Sequence, residues 1–209
     1  MKYRNVVWDW NGTLLNDLET GVRTLNDMLG RRGMPALSVE EYRERFGFPV
    51  IDFYRSVGFD MEREGMHDLS VDFVETYDRF AGLLGLNAGV PEVLAGFGRA
   101  GARQYVLSAL REDLLQGMLA GFGIASHFSG VCGSEDIYAS GKVERGRRML
   151  ATFGIEPADT LMVGDTVHDA EVAVALGFHC ILFAGGHNSE ERLAGSAPVV
   201  HRLEELLSL

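Results

Sequence analysis

The sequence predicts an α/β fold, a parallel sheet covered by helices on both faces, with a helical insertion after the first strand. Two observations carry this expectation. From Gly89 onward, short apolar or β-branched runs alternate with amphipathic stretches, the pattern of repeated strand–helix units. One further strand, Tyr3–Trp8, stands alone at the N-terminus, and residues 17–84 separate it from those units with helical periodicity only. A strand of this composition needs a sheet to join. The chain has 209 residues, 46% hydrophobic and 23% charged, which suits one such core with an insertion and argues against disorder.

Taken in order, Tyr3-Arg4-Asn5-Val6-Val7-Trp8 stops at Asp9-Trp10-Asn11-Gly12-Thr13, where Asn and Gly permit a sharp turn. Leu18, Val22, Leu25 and Leu29 then share one helical face, and Ser38-Val39-Glu40-Glu41 has the form of a capping box. Amphipathic stretches follow over 50–57 and 69–84. After them the pattern predicts a helix from Pro91 to Arg99, a strand Gln104–Ser108, a helix Asp113–Ala120 and a short strand Ser129–Cys132. A helix over 143–153, the strand Thr160–Gly164, a helix over 168–176, the strand Cys180–Phe183 and a terminal helix through Leu203–Leu207 complete the chain. The expected division is a Rossmann-like core of residues 1–15 and 86–209 with an inserted helical domain of residues 16–85.

Acidic residues outnumber basic ones 30 to 19, a net charge of −11, which argues against a general partner of nucleic acid or anionic membranes. No apolar run reaches the eighteen or so residues that span a bilayer, and no charged segment followed by an apolar one opens the sequence. A cytoplasmic protein, monomer or homodimer, is the expectation. Cys132 and Cys180 lack metal-ligand spacing and are expected to be buried free thiols. Of the 19 cationic residues only Lys2 and Lys142 are lysine. Arg serves elsewhere, including Arg145, Arg147 and Arg148, so a lysine kept mid-chain points to a task that a guanidinium does not perform.

Sites in open parallel sheets lie beyond the carboxyl ends of the strands. There the sequence places Asp9 and Asn11, then Ser108, then Asp165 and Asp169. A single Asp at such a position is ordinarily a turn or a helix cap. Several converging would repel one another unless a cation lay between them, and hard oxygen ligands suit Mg²⁺.

Asp9-Trp10-Asn11-Gly12-Thr13-Leu14, Ser108 after an apolar strand, Lys142, and Gly164-Asp165-Thr166-Val167-His168-Asp169 resemble the four ordered motifs of the haloacid dehalogenase superfamily. The insertion is similar to the helical cap of its phosphoglycolate phosphatase-like branch, and Gly89-Val90-Pro91-Glu92-Val93-Leu94 resembles that branch's return from cap to core. The resemblance implies a Mg²⁺-dependent phosphatase for a small phosphorylated metabolite, with Asp9 as the nucleophile that becomes an aspartyl-phosphate. It implies that Asp9, the backbone carbonyl of Asn11, Asp165 and Asp169 hold the metal. Ser108, the amides around Gly12 and Thr13, the amide of Ala109 and the ammonium of Lys142 would bind the phosphate.

Asn11 departs from the family pattern, in which this position is usually a second Asp that protonates the leaving group. An amide cannot exchange a proton at neutral pH, and loss of general acid–base help costs about 10²–10⁴ in rate. Three readings stay open: a slow phosphatase, an enzyme for leaving groups that need little protonation, or a non-catalytic phosphate binder. A metal-independent 2-haloacid dehalogenase is a further alternative, although it has no use for Asp165 and Asp169. A cap lysine for Schiff-base chemistry is absent from residues 17–84. Arg43, Arg45 and Arg55 are candidates for a substrate's anionic end and His168 for a supporting role. Trp8 and Trp10 are read as packing. Gly96-Phe97-Gly98-Arg99-Ala100-Gly101 matches a dinucleotide fingerprint, but it ends a helix and precedes a strand, the reverse of the required order.

Overall fold

The computed structural model describes residues 2–135, 138 and 141–209. Six parallel strands form one sheet: β1 (Asn5–Trp8), β4 (Arg103–Arg111), β5 (Gly130–Ser134), β6 (Thr160–Gly164), β7 (His179–Phe183) and β8 (Val199–Val200), in the spatial order β5-β4-β1-β6-β7-β8. The first strand is thus central, and all four of its residues are buried. Alternate side chains feed opposite cores. Val6 and Trp8 pack with Val106, Val163 and Phe97 on one face, and Val7 packs with Tyr105, Met162 and Met149 on the other. The Trp8 indole N–H finds Gln104 Oε1 at 3.1 Å, and Gln104 in turn donates to the Leu94 carbonyl at 2.9 Å, so burial leaves this polar tip satisfied.

Helices α5 (Val90–Arg99), α6 (Glu112–Gly121), α7 (Lys142–Phe153) and α8 (Val167–Leu176) cover the sheet. The insertion consists of α1 (Leu18–Arg31), α2 (Val39–Arg45), α3 (Val50–Ser56) and α4 (Met66–Arg79) around an apolar cluster of its own, including Leu25, Leu29, Phe53 and Leu69. The capping box of α2 forms as expected: Glu41 N donates to Ser38 Oγ at 3.1 Å, and Ser38 N donates to Glu41 Oε2 at 2.8 Å. Both chain crossings between insertion and sheet pair with each other as a short antiparallel stem, β2 (Leu15–Asn16) with β3 (Gly85–Leu86). The Asn87 amide clamps that stem by donating to the carbonyls of Gly12 and Thr13 at 3.0 and 2.9 Å. No described helix is long and apolar enough to cross a membrane.

The structure corrects several expectations. Strand β4 runs past Ser108 to Arg111, with a register shift between Leu107 and Arg111, because the Leu110 N–H is satisfied locally by Ser108 Oγ at 3.0 Å. The next helix starts at Glu112, with Arg111 at its cap position. The helix expected over 69–84 begins at Met66 and gives way after Arg79 to a 3₁₀ turn, Ala81–Leu83. The terminal helix is a 3₁₀ run, Leu203–Ser208. A short α9 (Glu190–Leu193), β8 and the two-residue stem strands give too few residues for any periodicity. Cys132 and Cys180 are free, but only partly buried.

Candidate active site

The parallel sheet and the helix starts beside it bring distant residues together. Asp9 follows β1, Ser108 and Ala109 lie within β4, Lys142 opens α7, Asp165 follows β6 and Asp169 lies in the first turn of α8. The Lys142 ammonium contacts Asp9 and donates to Asp169 Oδ1 at 2.7 Å. Asp169 Oδ2 accepts from the Thr166 amide and hydroxyl at 3.0 and 2.7 Å, which fixes the carboxylate at the helix start. Asp165 is held by the Thr13 hydroxyl at 2.9 Å and the His187 amide at 2.6 Å. Gly12, with φ of +77°, lets the first loop approach so closely that an added Cβ would meet Asp165 Oδ2 at 2.2 Å.

One ammonium contacts two of three clustered buried carboxylates. Burial pushes Asp9 well above the ordinary carboxylate range; Lys142 counters this in part, and Asp169 and Asp165 add to it as like charges. Burial likewise raises Asp165, to about 6, against the pull of His187. Asp169 is also penalised by burial, yet Lys142 outweighs that and holds it below its usual value. Lys142 itself stays firmly protonated because its two carboxylate partners outweigh desolvation. Asp9, Asp165 and Asp169 each offer an oxygen within 4.8 Å of the others. Such an all-oxygen set with unbalanced negative charge fits a divalent cation of the Mg²⁺ type.

Beside the triad lies a buried hub that the sequence reading missed. Asp17 precedes α1 but does not cap it. Its carboxylate accepts from the Asn11 side-chain amide and the Gly12 N–H, both at 2.7 Å, and from the Tyr77 hydroxyl at 2.8 Å. His187 Nε2 lies 3.0 Å from Asp17 Oδ1, and its Nδ1 lies 3.1 Å from the Tyr42 hydroxyl. Burial opposes charge on His187, but Asp17, with Asp165 and Asp9 behind it, lifts the imidazole to about 9; burial also penalises the Asp17 charge, yet His187, Asn11 and Tyr77 together hold it below its ordinary value. The two form a buried ion pair. A strand-end signal for His187 exists, since Gly185-Gly186-His187 follows β7. Asp17 offers no such signal, because an Asp before a helix is read as a cap.

The predicted residues divide accordingly. Asp9, Asn11, Ser108, Ala109, Lys142 and Asp169 border one cavity of about 380 Å³ beneath the insertion. Thr13 does not border it: its side chain is fully buried and its hydroxyl is committed to Asp165. The Gly12 amide is likewise committed to Asp17. Of the cap arginines, Arg43 donates to the carbonyls of Ala184 and Asn188, Arg55 pairs with Asp52, Arg45 is exposed, and none borders the cavity. His168 pairs with Glu171 and stacks on Phe48, centroids 4.8 Å apart. Trp8 and Trp10 are fully buried, as packing requires.

Comparison with known proteins agrees with this architecture. The family model described as haloacid dehalogenase-like hydrolase matches residues 6–183. A 5'-nucleotidase of Pseudomonas aeruginosa is 28% identical over 100% of this chain and 95% of its own length. Phosphoglycolate phosphatase 1 of the same organism is 25% identical over 98% of this chain and 78% of its own. Among solved structures, a haloacid dehalogenase-like family hydrolase from Streptococcus pneumoniae superposes with a TM-score of 0.81 at 18% identity, covering 99% of this chain and 98% of that one. The protein tyrosine kinase A of Mycobacterium tuberculosis gives 0.81 at 23% identity, covering 100% and 99%.

Proposed function

The chain belongs to the haloacid dehalogenase-like hydrolase family, and from that premise we propose that it is a Mg²⁺-dependent phosphatase. It acts in the cytoplasm on a small phosphomonoester through an aspartyl-phosphate on Asp9. The observation that carries this reading is the buried cluster of Asp9, Lys142, Asp165 and Asp169, of which Asp9, Lys142 and Asp169 border one cavity with Ser108 and Ala109. Asp9, the backbone carbonyl of Asn11, Asp165 and Asp169 would hold the metal. When bound, Mg²⁺ supplies positive charge against the substrate phosphate and the carboxylates.

The chain's own groups do the rest. Asp9 lends a carboxylate oxygen to phosphorus, and Lys142 offsets the charge on both reactants as a compact ammonium. Ser108 Oγ and the Ala109 amide donate to phosphoryl oxygens. Thr13 and Gly12 act one step back, holding Asp165 and Asp17 in place. Asn11 is tied to Asp17 and offers the leaving oxygen no proton. The 2-haloacid dehalogenase alternative leaves Asp165 and Asp169 without a task.

The decisive measurement is phosphate release from acetyl phosphate with Mg²⁺ and with a chelator, combined with acid quenching and peptide mapping of the phosphorylated enzyme. Release that requires metal, with the phosphoryl group on the Asp9 peptide, is expected. Metal-independent release, a label elsewhere, or halide release from a 2-haloacid would overturn the reading. A second expectation concerns Asn11→Asp. It raises kcat/KM for alkyl phosphates about tenfold, short of the 10²–10⁴ that a free general acid supplies, because the new carboxyl shares its proton with Asp17. Parallel assays of both proteins on glycerol phosphate check this; no gain would show that Asn11 does not limit the rate.

A further inference from the structure

We propose that the preferred substrates are aryl phosphates with an uncharged ring system, the phosphate facing Asp9 and the ring seated among Phe46, Phe53, Phe73 and Tyr77. This inference rests on the phosphatase reading above and adds the substrate class. Three observations converge on it.

The first is the wall of the cavity. Beyond the phosphate end its lining is mostly aromatic and aliphatic, with Phe48, Val50, Met66, Val74, Leu84 and Met118 completing the rings just named. An apolar cavity of about 150 Å³ accepts benzene, so about 380 Å³ has room for a two-ring system beside a phosphate. Aromatic pairs add offset or edge contacts to simple burial.

The second is charge. Among the described lining residues, each cation is already engaged: Lys142 with Asp9 and Asp169, His187 with Asp17, and Arg111 with Asp113 at 2.6 and 2.9 Å. Asp17 and Asp78 border the same space. A second anionic group on the substrate, such as the carboxylate of phosphoglycolate, would be desolvated here without a partner.

The third is Asn11. Asp9 attacks phosphorus, the bond from phosphorus to the leaving oxygen breaks, and that oxygen departs with the electron pair. A phenol, with a pKa of about 10, departs as phenolate and takes its proton from water afterwards; an alkanol is several units less acidic and needs the proton during bond cleavage. Water then adds to phosphorus, the phosphorus–Asp9 bond breaks, and phosphate leaves with the water's oxygen while a proton passes to solvent. An apolar aromatic seat and a missing general acid are separate features that select the same leaving group.

The test compares kcat/KM for 1-naphthyl phosphate, benzyl phosphate and 2-phosphoglycolate with Mg²⁺, with acetyl phosphate as the probe of phosphatase chemistry. The naphthyl ester is expected to exceed phosphoglycolate by at least about a hundredfold, with benzyl phosphate, aromatic but a poor leaving group, in between. Val74→Lys, which sets an ammonium in the wall, is expected to lower the naphthyl-to-phosphoglycolate ratio at least tenfold. Acetyl phosphate turnover with phosphoglycolate equal to or better than the naphthyl ester, or a ratio unmoved by Val74→Lys, would overturn the aryl preference and leave the phosphatase standing. Failure to turn over every compound, acetyl phosphate included, would remove both.

Discussion

Asp9→Asn loses phosphatase activity by at least about a thousandfold, the scale on which enzymes lose rate with their nucleophile, while the metal-free protein becomes more stable. The first half follows from chemistry: an amide is no nucleophile toward phosphorus. The second follows from the sign of the Asp9 shift. A carboxyl whose folded pKa lies above its unfolded one binds its proton more tightly in the native state, so its ionisation at neutral pH works against folding. Asn keeps the shape, still accepts from Lys142, and removes one of three crowded negative charges. Lys142 retains Asp169 at 2.7 Å as partner. A gain of roughly 1 kcal/mol raises Tm by about 2–4 °C in a chain of this size. Thermal scans of both proteins in chelator check the point, and added Mg²⁺ is expected to narrow the gap by stabilising the natural protein more. A lower Tm for the variant would show that the Asp9–Lys142 contact outweighs the crowding.

Asp17→Ala has the opposite sign. Asp17 lies below its ordinary pKa because His187 faces it, so its charge favours the folded state. Removing it strands a buried imidazolium and leaves the Gly12 amide, the Asn11 amide and the Tyr77 hydroxyl without their acceptor. Breaking a buried pair this way costs roughly 3–5 kcal/mol. The pH dependence follows from the two shifts. His187 is raised from 6.5 to about 9, so its contribution is complete below the ordinary value and is lost as pH rises through about 9. Asp17, being lowered, contributes above the ordinary carboxylate value and loses that share only as pH falls through its depressed one. Denaturant unfolding at about pH 6.5 and about pH 10 checks the His187 statement. The natural protein is expected to lose stability across that interval, the variant much less, and the gap between them to shrink. An unchanged gap would mean that His187 is not the titrating partner.

The sheet and the catalytic-looking carboxylates were legible because each carries a local pattern. β1 and β6 are short apolar runs that stop at an Asp, so Asp9 and Asp165 stand at the strand ends, with Asp169 one helical turn further on. Lys142 was legible from composition, since it stands among arginines, together with its place in the ordered motifs. Asp17 was not, because its role depends on partners from β1's loop, α4 and the loop after β7, none of which follows from spacing. Thr13 was misplaced for a related reason: its amide, expected at the phosphate, donates to the Trp10 carbonyl at 3.3 Å and its hydroxyl to Asp165, partners that spacing alone does not reveal. The end of β4 was misjudged because Ser108 satisfies the Leu110 amide inside the strand, which continues to Arg111.

The β2–β3 stem has a topological consequence. Because Leu15 pairs with Leu86 and Asn16 with Gly85, the two ends of the inserted segment are neighbours whatever lies between them. Closing a loop costs conformational entropy that grows only with the logarithm of its length, so the stem makes the size of the insert nearly irrelevant to the order of the sheet. The architecture therefore admits exchange of one inserted module for another at a fixed pair of residues, with Asp9, Asp165 and Asp169 carried by the sheet side while the wall opposite them is rebuilt.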